Sequence, residues 1–466
     1  MKSSLVDIAD AIRSGQCSAQ TALETSLDEI ARHNAVVNAF VLVDEEGARQ
    51  AANAIDTEIG KGGDPGPLTG VPIGVKDLRE DCYDLPRRNG SLFDKAAEPA
   101  TCDSPLIARL RSAGAVIVGK TATAEYGLDG VTHTLAHGTT RNPWNLQKTP
   151  SGSSGGSSAA VSAGMVPMAV GSDGFGSVRC PASFTGLIGL KPSLGRLPRV
   201  NGFGDTGTPG FLTTTVGDTA RCMDIGSGPE DRDRMTLPAL DIRYEDLIET
   251  LDVSGLRVVW STDLGYAPVE VEVAEVCERA ARQLVESAGL TLVSDQFSCT
   301  NAYVAWNALA AVGLRKDFEA RGLLPDKLHA LSPGPASFIE KYAYRDNARL
   351  NEYQQTVKQL EREVADLFAR TDVLITPTAG CVAYAAEGPL PETIAGKDAS
   401  QTNGEPFTGI GSIAWNPSVS VPAGMSRDGL PIGLLITVKR HRDDIALRLA
   451  RLCEQVNPWP LHPNGY

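Results

Sequence analysis

The opening sixty residues place apolar and polar positions with helical spacing. In "AQTALETSLDEIARHN", Leu23, Leu27 and Ile30 fall on one face, and Ser18 stands where a cap for the first turn is needed. An apolar face of that width must be buried, so the pattern predicts a helix laid on another layer. "GKGGDPGPLTGVP" then breaks the helical period with glycine and proline. Beyond it come apolar runs of strand length, "PIGVKD" and, after the helical "SPLIARLRSAG", "AVIVGKT". "SSAAVSAGM" predicts a tightly packed helix of small residues, and "VPMAVGSD" a strand after it. Further along, the amphipathic "RLNEYQQTVKQLEREVADLFAR" leads into the strand-like "DVLITPT". "NPSVSVPAG", a turn at "RDGLP", "IGLLITV" and a helix "DDIALRLARLCEQV" close the chain. Strands alternating with helices predict an α/β fold whose sheet is covered on both faces.

Residues from about 230 to 345 differ, with longer polar helices and more aromatics, and read as an insertion or cap. The organisation expected is one domain over 1–466. It comprises a helical segment (1–64), a core (65–230), a variable cap (231–345) and a C-terminal part of the core (346–466). No repeat period is visible.

Between a turn-rich stretch and the small-residue helix lies "TPSGSSGGSSAAVSAG", Thr149 to Gly164. By composition it is a flexible linker. Its neighbours argue otherwise, because a linker does not run straight into buried elements. "GFGSVRCPASFTGLIGLKP", downstream, is again dense in small residues, as where backbones or a ligand approach closely.

Composition narrows the function. The 466 residues are 42% hydrophobic and 21% charged, with 43 basic against 57 acidic residues and a formal charge of −14. With no basic block, neither nucleic acid nor an anionic membrane is an expected partner. Nine cysteines are scattered without a C-x-x-C pair, which argues against a disulfide framework or zinc site and fits a reducing cytoplasm. Asp7 and Asp10 interrupt the N-terminus before any apolar run of signal-peptide length, and no stretch has the length of a membrane span. His133 and His137 are four apart like helical metal ligands, but Thr134 stands where H-E-x-x-H has its glutamate, so no metal is expected. Nor is a cofactor.

Candidate chemistry centres on serine. "GSSGG" matches the G-x-S-x-G nucleophile elbow around Ser154, yet "NPWNLQKTP" before it is no strand. The histidine such a site needs is reduced to His441, in the polar "KRHRDD", or His462 in the tail. No S-x-x-K occurs, which removes the arrangement of β-lactamases. A serine activated by a distant buried lysine remains, since desolvation makes a neutral amine available as base. Lys76, ending the apolar "VPIGVK", is the natural candidate; the bland alternative is a strand-edge lysine facing solvent.

Three motifs occur together in order: "GVPIGVKD" around Lys76, "GSSGGSSAAVSAGMVP" around Ser153 and "GSDGFGSVRCPASFTGLIGLKP" around Ser177. With "GKTATAEYGLDGVTHTLAHGTTRNPWN" and "WNPSVSVPAGMSRDGLPIGLLI", they resemble the amidase signature family of serine hydrolases. The resemblance covers most of the chain outside the middle region. It implies the amidase-signature fold, a large mixed twisted sheet, and a Ser–cis-Ser–Lys triad of Ser177, Ser153 and Lys76, with Ser153 following a cis peptide bond. It also implies an oxyanion hole built from the backbone N–H groups of Gly174, Phe175, Gly176 and Ser177. Asp173 and Arg179 become an ion pair holding that loop, and Ser154 a supporting residue. Ser151, Ser157, Ser158 and Ser162 are left to packing and capping.

Two departures stand out. The usual D-T-G-G-S has become "DGFGS", setting the benzyl group of Phe175 beside the acyl pocket, where Tyr126 and Leu128 are also expected. "DLPRRNGS" carries Arg87 and Arg88 where relatives commonly have small hydroxyl residues; these face either the pocket mouth or, slightly preferred, solvent. The implied function is hydrolysis of the C–N bond of small carboxamides, with esters, anilides and carbamates as further substrates, by a monomer or homodimer. One rival is the glutaminase subunit of a tRNA-dependent amidotransferase. Against it, "LPRVNGFGDTGTPGFLTTTVGD" lacks the S-x-D-Q-x-G-P run of those subunits. A second rival is a binding module that retains the triad without using it.

Overall fold

The apolar runs of the sequence become strands of one mixed sheet in the computed structural model, which describes residues 3–199, 206–294, 296–343 and 346–466. In chain order these are β1 (Phe40–Val43), β2 (Pro72–Lys76), β3 (Val116–Thr121), β4 (Met168–Asp173), β5 (Ile188–Lys191) and β6 (Thr208–Thr213). They continue with β7 (Arg257–Trp260), β8 (Thr291–Ser294), β9 (Val373–Pro377), β10 (Ser418–Met425) and β11 (Pro431–Val438). The eleven strands lie in the order β1-β3-β2-β4-β6-β5-β10-β11-β9-β7-β8. β3, β2 and β4 are mutually parallel, as are β9, β7 and β8, and the strands between them are antiparallel.

Successive residues of a strand point to opposite faces, and the core divides accordingly. Val258, Ile375 and Ile436 join one apolar layer, while their neighbours Val259, Leu374 and Leu435 join the other. The first layer is closed by α4 (Val271–Ser287) and α8 (Asp443–Val456), the second by α7 (Asn347–Arg370) through Leu360, Val364 and Leu367. Both faces are therefore covered, as the alternation of elements predicts. At the N-terminal end α1 (Ala19–Val37) buries Leu23, Leu27 and Ile30, and Ser18 Oγ accepts a hydrogen bond from Thr21 N.

The Gly/Ser run is a built element. Its second half forms α2 (Gly155–Ser162), every residue of which is buried, and Ser157 Oγ bonds both Thr121 Oγ1 (2.7 Å) and the Val170 carbonyl (3.1 Å). A methyl group on Gly156 would overlap backbone atoms of Ala122 and Ala39. Small residues let this helix lie directly on the strand ends.

One expectation changes. The segment 231–345 is not wholly a cap, because β7, α4 and β8 extend the main sheet and its covering layer. The cap proper is α5 (Tyr303–Ala320) with α6 (Pro333–Tyr342), joined through Phe318, Ile339 and Tyr342. His133 and His137 do not share a helix face; His133 lies in a two-residue ladder with Thr139, whose Oγ1 is 2.8 Å from its Nδ1. Residues 200–205, within the stretch used to weigh the amidotransferase reading, lie outside the described residues.

The close approach at Gly156 carries a prediction. Gly156→Ala is expected to lower the unfolding free energy by about 1–3 kcal/mol through overpacking, seen as a lower denaturant midpoint. An unchanged midpoint would mean the helix can move away from the strands.

Candidate active site

β2 and β4 are adjacent and parallel, so their carboxyl ends open on the same rim of the sheet, where open α/β sheets bind ligands. Lys76 is the last residue of β2, and Ser172 and Asp173 end β4. Lys76 Nζ donates to Ser153 Oγ at 2.7 Å and to Ser172 Oγ at 3.2 Å, with the Ser172 carbonyl at 3.4 Å. Its side chain is 0% exposed. Burial drives the amine well below the ordinary lysine value; the charge of Arg79 adds to this, and that of Asp173 opposes it.

Ser153 follows a cis Gly152–Ser153 peptide bond. Ser154, next to it, donates its backbone N–H to the Ser177 carbonyl (3.2 Å), and its Oγ lies 3.3 Å from the Ser172 carbonyl. Ser154 thus ties the Ser153 loop to both β4 and the segment carrying Ser177. Ser153 and Ser177 line the same cavity, of about 530 Å³, together with Gly174, Phe175 and Gly176.

The turn from Asp173 to α3 (Arg179–Thr185) is clamped from inside. Arg179 Nη2 and Nε donate to the two carboxylate oxygens of Asp173 at 2.7 and 2.9 Å, and both side chains are fully buried. The remaining guanidinium donors reach the Thr408 carbonyl (2.7 Å) and Ser412 Oγ (2.8 Å), while Val178 N donates to Asp173 Oδ2 (3.1 Å). Burial works against charge on Asp173, but the Arg179 guanidinium outweighs it and holds the carboxyl below its usual range. Gly176, at φ +152°, adopts a conformation favouring glycine, and a Cβ there would strike the Thr408 side chain.

Phe175 lines the cavity. Its ring lies 4.7 Å from Trp306 and edge-on to Tyr303 at 5.6 Å, both on α5, and its carbonyl accepts from Thr408 Oγ1. Leu128 also lines the cavity. Tyr126 does not. Its ring packs on Phe318 (4.8 Å) in the cap core, and its hydroxyl accepts from Arg321 Nη1 (3.3 Å). Burying an aromatic ring against the cap outweighs exposing it to the cavity, and this corrects its assignment to the pocket.

Arg87 and Arg88 take neither expected position. Both are half-buried outside the cavity lining, Arg87 paired with Asp81 at 2.8 Å and the Arg88 backbone N–H bonded to Asp77 Oδ1. The arginine that does line the cavity is Arg79, three residues after Lys76, at φ +71°. Ser172, Asp129, Glu405, Tyr303 and Trp306 were also missed by sequence reasoning. Ser172 had a signal, since alternation along "VGSD" turns it away from Asp173. Asp129 and Glu405, in "LDGV" and "NGEPF", had none.

A profile of the amidase family matches residues 21–447. The acylamidase of Rhodococcus erythropolis is 32% identical over 98% of this chain and 96% of its own. One component of the glutamyl-tRNA(Gln) amidotransferase of a Synechococcus strain is 32% identical over 96% of each chain. Among solved structures, a bacterial aryl acylamidase of the amidase signature enzymes superposes with a TM-score of 0.92 at 27% identity, covering 98% of this chain and 97% of that one. The fold is thus that of the amidase signature enzymes, and the chain is a hydrolase acting on amide C–N bonds. The chain belongs to the amidase family, within the amidase signature enzymes.

The buried clamp is open to measurement. Asp173→Asn leaves Arg179 without its counter-charge and is expected to cost about 3–5 kcal/mol of stability, seen in chemical denaturation. Because Asp173 is held below its usual range, its contribution is present above the pKa of an unfolded aspartate and is lost as pH falls. The variant should therefore lose less stability on acidification than the parent; equal losses would refute the clamp.

Proposed function

We propose that Ser177 is the nucleophile of a Ser–cis-Ser–Lys triad in which Ser153 relays its proton to Lys76. The observation that carries this reading is the 2.7 Å contact between Lys76 Nζ and Ser153 Oγ, on a lysine with no solvent exposure, beside the cavity that Ser177 lines. An uncharged Lys76 accepts the Ser153 proton across that contact, and Ser153 in turn accepts the proton of Ser177. A hydroxyl can relay because it both donates and accepts.

Ser177 Oγ then attacks the substrate carbonyl carbon, and the negative charge that develops on the carbonyl oxygen is met by backbone N–H groups among Gly174, Phe175, Gly176 and Ser177. The tetrahedral intermediate collapses with cleavage of the C–N bond. The same relay, run backwards, protonates the departing amine, and water attacks the acyl-enzyme to free the acid and Ser177.

The substrates proposed are small carboxamides and anilides, with aryl carbamates and esters accepted by the same acyl chemistry. The aromatic wall of Phe175, Tyr303 and Trp306 supports an aryl group in the cavity, in keeping with the names of the acylamidase relatives. Nine unpaired cysteines support a reducing compartment such as the cytoplasm. The amidotransferase reading separates cleanly, since a glutaminase subunit works within a complex, whereas the enzyme proposed here cleaves a nitroanilide alone.

Purified protein with a para-nitroanilide is therefore the first assay. Ser177→Ala is expected to reduce kcat by about 10³-fold or more, with Lys76→Ala and Ser153→Ala severely impaired; a Lys76→Ala enzyme of near-native rate would sink the relay. The base must be unprotonated, so kcat/KM should fall on acidification with an apparent pKa well below the ordinary lysine value. Activity that rises towards acid pH contradicts a neutral amine. Phe175→Gly should change the relative rates on aromatic and small aliphatic amides, and an unchanged ratio would remove Phe175 from substrate choice.

A further inference from the structure

The proposed triad leaves two carboxyl groups of the same cavity without a task. Asp129 and Glu405 both line it, in the wall formed by the 127–131 segment and the loop before Phe407. Asp129 Oδ1 accepts from the Val131 N–H (3.2 Å), and its other oxygen lies against Gly334 at the start of α6. Glu405 Oε1 accepts from Ser151 Oγ (3.0 Å), two residues before Ser153, and lies against Gly130, the neighbour of Asp129. The two groups thus flank one patch of wall, close to the proposed reaction centre.

Neither carboxyl forms an ion pair with a lysine, arginine or histidine among the described residues. The other charges lining the cavity are accounted for differently. Asp173 is paired with Arg179 and Glu387 with Arg141 at 2.7 Å, and Glu392 is exposed. Of the cations, the Arg79 charge acts on Lys76, and Lys341 lies over the Tyr342 ring at 5.2 Å. His133 bonds Thr139. Burial pushes Asp129 up to about 6; it pushes Glu405 up to about 8, with the charges of Asp129 and Asp173 adding to the rise. Among the described residues, the carboxyl pair has no cation paired with it.

We propose that this wall is an ammonium subsite, and that the preferred amides carry a protonated primary amine near the scissile carbonyl, a specificity that rests on amide hydrolysis at Ser177. The ammonium supplies the missing cation, donating charge-assisted hydrogen bonds to Glu405 and Asp129. Tyr303 and Trp306 line the same cavity, and aromatic rings there attract a cation. With the subsite empty at neutral pH, Glu405 holds its proton; the arriving ammonium displaces it, so binding releases a proton. An uncharged substrate gains none of these interactions.

Two para-nitroanilides of nearly equal shape test this, that of alanine, with a protonated amine, and that of isobutyric acid, with a methyl group in its place. The native enzyme is expected to show the higher kcat/KM on the alanine compound. The ratio of the two should fall about tenfold or more in Glu405→Gln and in Asp129→Asn, as for loss of a hydrogen bond to a charged group, with most of the change in KM. A ratio unchanged in both variants, or a native preference for the isobutyryl compound, overturns the subsite. Should neither anilide be cleaved, the hydrolytic reading falls, and calorimetry on the native protein decides the subsite alone. Isobutylammonium binding at least about tenfold tighter than isobutanol supports it, and equal or undetectable binding of the two overturns it.

Discussion

Lys76 ends a strand at a point that water does not reach, and its amine meets a serine hydroxyl at 2.7 Å. An ammonium there carries a large desolvation cost, and the nearby charge of Arg79 raises that cost further. That cost shifts the balance towards the neutral amine, and a neutral amine is a base. The rest of the site serves to keep that lysine dry and its partner in reach. β3 and β4 flank β2 on either side, α2 lies on the strand ends, and the absence of a side chain at Gly156 lets the helix approach them closely.

The second fixed point is the buried Asp173–Arg179 pair. It turns the chain sharply between β4 and α3, and Gly174, Phe175, Gly176 and Ser177 in that turn border one cavity. Arg179 also reaches Thr408 and Ser412, and the Phe175 carbonyl is held by Thr408. The Ser177 segment is thereby braced by residues more than two hundred positions away. The strand ends carry the proposed relay, while Tyr303 and Trp306 of the cap, with Asp129 and Glu405, line the cavity beside it.

Legibility in the sequence followed the range of the forces involved. Periodicity is local, so Ser18 as a cap, the apolar face of α1 and the strands at "PIGVK" and "AVIVGKT" were readable one element at a time. The Gly/Ser run was readable as rigid only because buried elements follow it. Lys76, Ser153 and Ser177 stood in motifs, so a resemblance brought them together across a hundred residues. Tyr126 was misplaced because an aromatic residue in a motif looks the same whether its ring enters the cavity or the cap core, and Phe318, which decides the matter, is distant. β7 and β8 were hidden for a related reason. They are only four residues each, and β8 is an edge strand whose burial pattern is largely exposed. Glu405 and Asp129 owe their significance to a meeting that no local pattern records.

The proposed relay turns on the protonation state of one side chain, which NMR can observe directly. Lysine labelled at Cε and Nζ, with the Lys76 signal assigned by its loss in Lys76→Met, gives a titration curve for that amine in the intact protein. A neutral amine at neutral pH, protonating only on acidification, is the predicted result. A Lys76 that remains an ammonium up to the ordinary lysine range would contradict the proposed relay, however well the geometry accommodates it.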